Sequence, residues 1–285
     1  MPDLDTPSTS ETDSAEDAGR GQGSFPVVGV GASAGGLVAL QEMLAALPTD
    51  TGMGFVIIQH LDPSHESSLA EILSRSTEMP VAQVEDEPAI EPNHVYVIPP
   101  GRDMVLSDGK LSLLPQQRHA SHRGIDRFFR SLAEDSAHLA IGVVLSGGLS
   151  DGTVGMEEIK AAGGVTFAQD DSAQHESMPR SAVASGCVDF VMSPEKIARE
   201  LARIAGHSYS ASWTKEEVED EEGGDHRSVL ELVRGGTGVD FTHYKSSTLR
   251  RRIKRRMMLH RFDAQPDYEE FLKQTPDELE ALFQD

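Results

Sequence analysis

The hydrophobic and polar positions divide most of the chain into short apolar runs alternating with amphipathic stretches. Phe25 to Val30 is a continuous run that reads as a strand and leads into a glycine-rich turn. Leu37, Leu40, Met43, Leu44 and Leu47 then recur at helical spacing. The alternation continues with a strand at Phe55 to Gln59, a helix over Ser67 to Ser76 and a short strand at Val95 to Ile98. Ile125 to Ala137 reads as a helix and Ala140 to Leu145 as a strongly apolar strand. Helices at Met156 to Ala162, Ser181 to Ser185 and Pro194 to about Ala205 are interleaved with strands at Val165 to Ala168 and Val188 to Met192. Strands that are apolar throughout, separated by helices, predict an α/β fold with a doubly wound, mostly parallel sheet and helices on both faces.

The pattern fails in two places. Residues 1–24 are acidic and small and cannot bury enough surface to offset their ordering entropy, so a disordered acidic tail is expected there. Residues 208–226 are acidic with no apolar period and read as a linker. They separate an α/β domain over 25–207 from a small all-α domain over 227–285. The second domain carries a dense basic stretch from Lys245 to Arg261. No internal repeat is visible.

Composition removes several classes of function. The net charge of −22 argues against nucleic-acid binding over the whole surface. No apolar run approaches the roughly 18 residues that would span a bilayer, so no membrane insertion is expected. No export signal is visible at the N-terminus, so a cytoplasmic protein is expected. The single cysteine, Cys187, excludes an intramolecular disulfide and a thiolate-rich metal site; as a residue before an apolar strand it reads as a buried structural thiol. The spacings of His60, Asp62 and His65, and of His119 and His122, match no common zinc motif. No metal and no cofactor is expected.

The chemistry gathers at strand ends. Gly29-x-Gly31-x-x-Ala34 formally fits a dinucleotide fingerprint, but the second strand ends in Gln59-His60 where an acidic residue would hold a ribose. The better reading places Ser33 on a tight strand-to-helix turn among Ala32, Ala34, Gly35 and Gly36, with free N–H groups nearby for an oxyanion. His60 closes the second strand, and Asp151 follows the strand at Ala140 to Leu145. Alone, each has an ordinary explanation: a helix cap, a loop histidine, a turn aspartate. Together they fall beyond strand C-terminal ends, where open α/β sheets bind ligands, and they supply a nucleophile, a base and an orienting acid.

These residues resemble a known family. Gly31-Ala-Ser-Ala-Gly-Gly36, Gln59-His60 and Leu145-Ser-Gly-Gly-Leu-Ser-Asp-Gly152 are similar to the bacterial chemotaxis receptor methylesterase, the CheB-type catalytic domain. Val95-Tyr-Val-Ile-Pro-Pro-Gly101, Gly163-Gly-Val-Thr-Phe-Ala-Gln169 and Met178-Pro-Arg180 extend the likeness over about residues 25–205. The resemblance implies hydrolysis of glutamate γ-methyl esters on receptor signalling helices, with Ser33, His60 and Asp151 as the triad. It also implies backbone N–H groups of Ala34 and Gly148 at the oxyanion. Two positions depart from the family pattern: Ala34 stands where threonine is frequent, and Gly148 where methionine is common. Arg180 is a candidate contact to an acidic substrate. The rivals are a dinucleotide-dependent oxidoreductase and a catalytically silent signalling adaptor; methanol release from methylated receptor separates esterase from adaptor.

In the basic stretch, Leu249, Ile253 and Met257 form one apolar stripe, and Arg250 to Arg252 and Lys254 to Arg256 crowd the remaining surface. Val233 to Phe271 is similar to the N-terminal helical domain of the chemotaxis receptor methyltransferase, the CheR type. That resemblance implies receptor recognition, for which Arg251, Arg255 and Arg256 are the candidates. No aromatic interleaving supports nucleic-acid binding. Two further expectations follow from the layout. Family esterases carry an N-terminal receiver domain, and 24 residues are too few for one, so an open, phosphodonor-insensitive site is expected. The chain stops at Asp285 before any S-adenosylmethionine-binding sheet, which suggests a fragment of a fused protein.

Overall fold

A computed structural model of the chain describes residues 25–61, 67–116, 123–206, 226–241, 244 and 246–285. The expected tail, all but the last residue of the expected linker, and Asp62, His65, His119 and His122 lie outside the described residues.

Seven parallel strands form the main sheet: β1 (Val27–Ala32), β2 (Gly54–Gln59), β3 (Val81–Gln83), β4 (Val95–Val97), β7 (Ala140–Val144), β8 (Val165–Gln169) and β9 (Phe190–Met192). Their spatial order is β3-β4-β2-β1-β7-β8-β9. The chain leaves β1 toward β2 on one side and returns to β7 on the other, so the switch point of the topology lies at β1. Every residue of β1 and β7 is buried, which explains why both read as unbroken apolar runs.

Helices cover both faces. On one, α1 (Gly36–Ala46), α2 (Leu69–Ser74) and α6 (Pro194–Gly206) bury Leu40, Met43, Leu73, Ile197 and Leu201 against the sheet. On the other, α3 (Gly124–Ser136), α4 (Thr153–Ala161) and α5 (Ser177–Ala184) contribute Phe128, Phe129, Met156 and Met178. The doubly wound reading therefore holds. The sequence reading omitted β3 and an antiparallel hairpin, β5 (Arg102–Ser107) and β6 (Lys110–Pro115), which lays Met104, Leu106 and Leu111 on the α3 side of the core.

The second unit is all helical, with α7 (Arg227–Thr237), α8 (Ser246–Leu259), α9 (Gln265–Gln274) and α10 (Pro276–Gln284) around Val229, Val233, Ile253, Tyr268 and Leu272. Helix α8 serves two cores. Ile253 and Met257 face the helical cluster, while Met258 belongs to the apolar cluster of the α/β domain. Arg252 donates to the carbonyls of Lys160 (3.2 Å) and Ala161 (2.6 Å), closing the free end of α4. Arg203 donates to the Met258 carbonyl at 3.1 Å, and Arg261 meets Glu200 at 3.1 Å. Among the described residues no helix is long and apolar enough to cross a membrane.

His138 lies in the short 3₁₀ turn (Ala137–Leu139) before β7. Burial, reinforced by the charge of Arg251, pushes its imidazole down from 6.5 to about 4. Between those values the unfolded chain binds a proton that the fold excludes, so stability rises with pH there. The contribution of neutral His138 is present above about pH 6.5 and lost as pH falls toward 4. Between pH 6.5 and 4.5 the wild type should lose about 2 kcal/mol more than His138→Gln in urea unfolding. Equal losses in the two chains would overturn this assignment.

Candidate active site

Three loops at the carboxyl edge of the sheet bring the site together. Ser33 follows β1 directly, and its turn is held from β7: the Ser33 N–H donates to the Ser146 carbonyl at 3.0 Å, and the Ser146 hydroxyl donates to the Ala34 carbonyl at 2.8 Å. Gly35 ends the turn at φ +71°, where a Cβ would stand 2.7 Å from Gln174 Oε1 and 2.8 Å from Ser146 Oγ. Glycine is therefore required on both conformational and steric grounds. His60 follows β2, and its N–H donates to the Ala32 carbonyl at 3.3 Å, beside the Ser33 turn.

The side chains form one hydrogen-bonded chain. His60 Nδ1 lies 3.2 Å from Ser33 Oγ, and His60 Nε2 lies 2.9 Å from Asp151 Oδ2. Opposite ring nitrogens thus face the hydroxyl and the carboxylate, so the imidazole can accept a proton from one side while held on the other. Asp151 is buried, and its carboxylate accepts backbone N–H groups from Ile125 (3.0 Å), Asp126 (2.9 Å) and Gly152 (2.9 Å). The amino end of α3 thereby fixes and stabilises the charge that orients His60.

Asp126, next to that carboxylate, is itself buried and accepts the Gly155 N–H at 2.9 Å. Burial raises its pKa, and the charge of Asp151 adds to the rise, against the Gly155 hydrogen bond and the charge of Arg123. Ala34 is exposed at the tip of the turn. Gly148 has open space where a side chain would project, so the larger residue common in the family would fit there. Ser146, the α3 amino end and Asp126 were not singled out from the sequence. The sequence carries a signal for Ser146: it sits in the Leu145 to Gly152 motif, one residue past an apolar run.

The glycines of the dinucleotide fingerprint have another use. A Cβ at Gly31 would stand 2.5 Å from Ile125 Cγ2, and one at Gly29 2.9 Å from Leu132 Cδ2. Both let α3 pack closely on β1. Ile125 also donates to Asp151, so Gly31→Ala should cost about 1–3 kcal/mol by overpacking and lower kcat at least tenfold. Gly29→Ala, which would press on Leu132 Cδ2 at 2.9 Å and on the Phe128 and Phe129 rings at 3.0 Å but on no residue that touches Asp151, should cost a comparable amount of stability and spare kcat. Unfolding and single-turnover measurements on both variants check this; an unaltered Gly31→Ala chain would contradict it.

The arginines assigned to receptor binding separate. Arg251 is exposed. Arg255 is only 1% exposed and fully engaged within the chain, with Gly164 O at 2.9 Å, Asp189 at 2.7 and 2.8 Å, and Asp285 at 2.7 Å. Arg256 pairs with Glu278, which also takes the Tyr268 hydroxyl at 2.8 Å and His260 at 2.7 Å. Burial alone would raise the Glu278 pKa; the hydrogen bonds from His260 and Arg256 and the Arg256 charge outweigh it and hold the carboxyl at about 2. Arg255 and Arg256 are thus internal fastenings, and the expectation that they face a receptor is corrected: helix packing brings acidic partners from distant sequence onto them. Arg180 is exposed and pairs with Glu176. Cys187 is buried, and burial raises its thiol pKa.

An open parallel sheet with a serine–histidine–aspartate chain at its switch point defines a serine-hydrolase type of site. Residues 28–201 match the family described as CheB methylesterase, and the chain belongs to that family. Residues 225–285 match the CheR methyltransferase all-alpha domain. The crystal structure of the Thermotoga maritima CheB methylesterase catalytic domain is 28% identical, with a TM-score of 0.59, covering 63% of this chain and 98% of that one. A protein-glutamate methylesterase/protein-glutamine glutaminase of Photorhabdus laumondii is 37% identical over 189 residues, 64% of this chain and 54% of its own length. A 104.1 kDa protein of Rhodobacter capsulatus is 35% identical over 236 residues, 75% of this chain and 25% of its own length. The chain thus spans about half or less of these two relatives.

Proposed function

We propose that the chain hydrolyses glutamate γ-methyl esters on chemotaxis-type receptors, with Ser33, His60 and Asp151 as the catalytic residues. The observation that carries this reading is the His60 ring bridging Ser33 Oγ and Asp151 through opposite nitrogens. Ser33 Oγ attacks the ester carbonyl carbon while His60 Nδ1 takes its proton. The tetrahedral oxyanion is met by the backbone N–H groups of Ala34 and Gly148. Collapse breaks the carbon–methoxy bond, His60 returns the proton, and methanol leaves a glutamyl ester on Ser33. Water, deprotonated by His60, then releases the glutamate carboxylate and restores the serine.

The CheR-type helical domain is the part that engages the receptor, through the exposed Arg251 side of α8 rather than through Arg255 or Arg256. The deciding experiment incubates the chain with a receptor signalling segment carrying labelled γ-methyl esters. Stoichiometric labelled methanol with new glutamate carboxylates is the expected result. A chain that binds the segment without releasing methanol would be an adaptor.

A further inference from the structure

A cavity of about 400 Å³ shares His60 with the triad. It lies between the ends of β2 and β4, the hairpin strand β5 and the first turns of α3, and Arg102, Arg123, Arg127 and Arg130 line it. Arg127 is neutralised by Asp103 at 2.7 Å, and Arg130 lies 3.9 Å from Glu158. Among the described residues Arg102 and Arg123 have no carboxylate within ion-pair distance, and Arg123 acts on the buried Asp126 only through its charge at longer range. The acidic groups here are otherwise occupied: Asp103 is committed to Arg127, and Asp126 takes the Gly155 N–H and is shifted toward its neutral form. Glu134 alone faces the cavity as an exposed acid. In a chain of net charge −22, this cleft concentrates positive charge beside the catalytic imidazole.

We propose that this cleft is a subsite for a substrate carboxylate: an acidic side chain of the polypeptide beside the residue held at Ser33, gripped by Arg102 and Arg123. The proposal rests on the esterase reading of the triad. The occupant belongs to the same molecule as the reacting group, because His60 walls both spaces. A guanidinium fork matches a carboxylate with two parallel hydrogen bonds, and two such groups without partners leave that capacity free. The two arginines thus act as specificity-determining residues, choosing esterified positions that have an acidic neighbour.

The test measures binding separately from turnover. Ser33→Ala chain is titrated with fluorescent helical peptides carrying glutamine at the reacting position. One peptide is neutral; the others place a single glutamate at each position within one turn. The proposal expects at least one placement to bind about tenfold tighter than the neutral peptide at low salt, with the preference shrinking as salt rises. Adding Arg102→Gln and Arg123→Gln should bring that ratio close to one. Arg75→Gln, an exposed arginine on α2 paired with Glu71, should leave it unchanged. No preference at any placement, no binding of any peptide, or a preference that survives the double substitution each overturns the subsite. A wild-type chain that releases methanol without acidic preference refutes the subsite alone. One that prefers acidic peptides but releases no methanol refutes the esterase reading alone.

Discussion

Ser33→Ala chain is expected to fold as the wild type does and to lose esterase activity by about three to six orders of magnitude. The backbone of Ser33 holds the turn through the Ser146 carbonyl and the Gly36 N–H, and neither bond uses the hydroxyl. Removing Oγ therefore deletes the proposed nucleophile and leaves its setting. Asp151→Asn behaves differently. Its carboxylate accepts three backbone N–H groups as well as His60, and an amide would turn an N–H toward at least one donor. That variant should lose stability by about 1–3 kcal/mol in addition to activity. Combined with Ser33→Ala, it should cost little further rate, because residues that act as one unit give saturating losses. Retention of a tenth of wild-type activity in Ser33→Ala, or multiplying losses in the double variant, would dismantle the assignment.

The site was legible because Ser33 and His60 directly follow unmistakable strands and Asp151 lies in the loop that leaves a third. An apolar run such as Phe55 to Ile58 can be little else than a buried parallel strand, and whatever stands at its end must lie on the sheet rim. What supports Asp151 was not legible, because the α3 amino end reaches it from 26 residues away through backbone N–H groups that no side-chain pattern announces. The hairpin β5–β6 was missed although Asp108-Gly109 marks its turn, with φ +52° and +72°. Its strands are half exposed and begin with Arg102-Asp103, so they lack the continuous apolar signature of the main sheet. The apolar stripe of α8 was read correctly for Ile253 and Met257. Met258, one step round the helix, packs on the other domain, and its burial depends wholly on that neighbour.

The same neighbour decides the fate of Arg255. Six exposed cations within the seven residues from Arg250 to Arg256 would repel one another, and a helix surface reading treats them alike. The fold instead draws one of them onto Asp189, which stands just before β9 and also accepts the Thr166 N–H at 3.0 Å and hydroxyl at 2.9 Å. Both charges are taken out of water, with side chains 1% and 3% exposed. A buried pair of this kind contributes little over an apolar replacement, yet losing Arg255 leaves the buried Asp189 carboxylate with only the more distant Lys160 ammonium, at 3.8 Å. Arg255→Ala should therefore destabilise the chain by about 3–5 kcal/mol, although the residue touches no part of the catalytic site. Asp189→Asn in the same background should recover part of that loss, because the stranded carboxylate is gone. A denaturant double-mutant cycle would then give a coupling of about 1–3 kcal/mol between positions 66 residues apart. The loss should come with uncoupling of the two domains: a single unfolding transition in the wild type, and an earlier transition of the helical domain in Arg255→Ala. A variant within about 1 kcal/mol of wild type, unfolding in one step, would mean that this buried pair does not fasten the helical domain to the sheet.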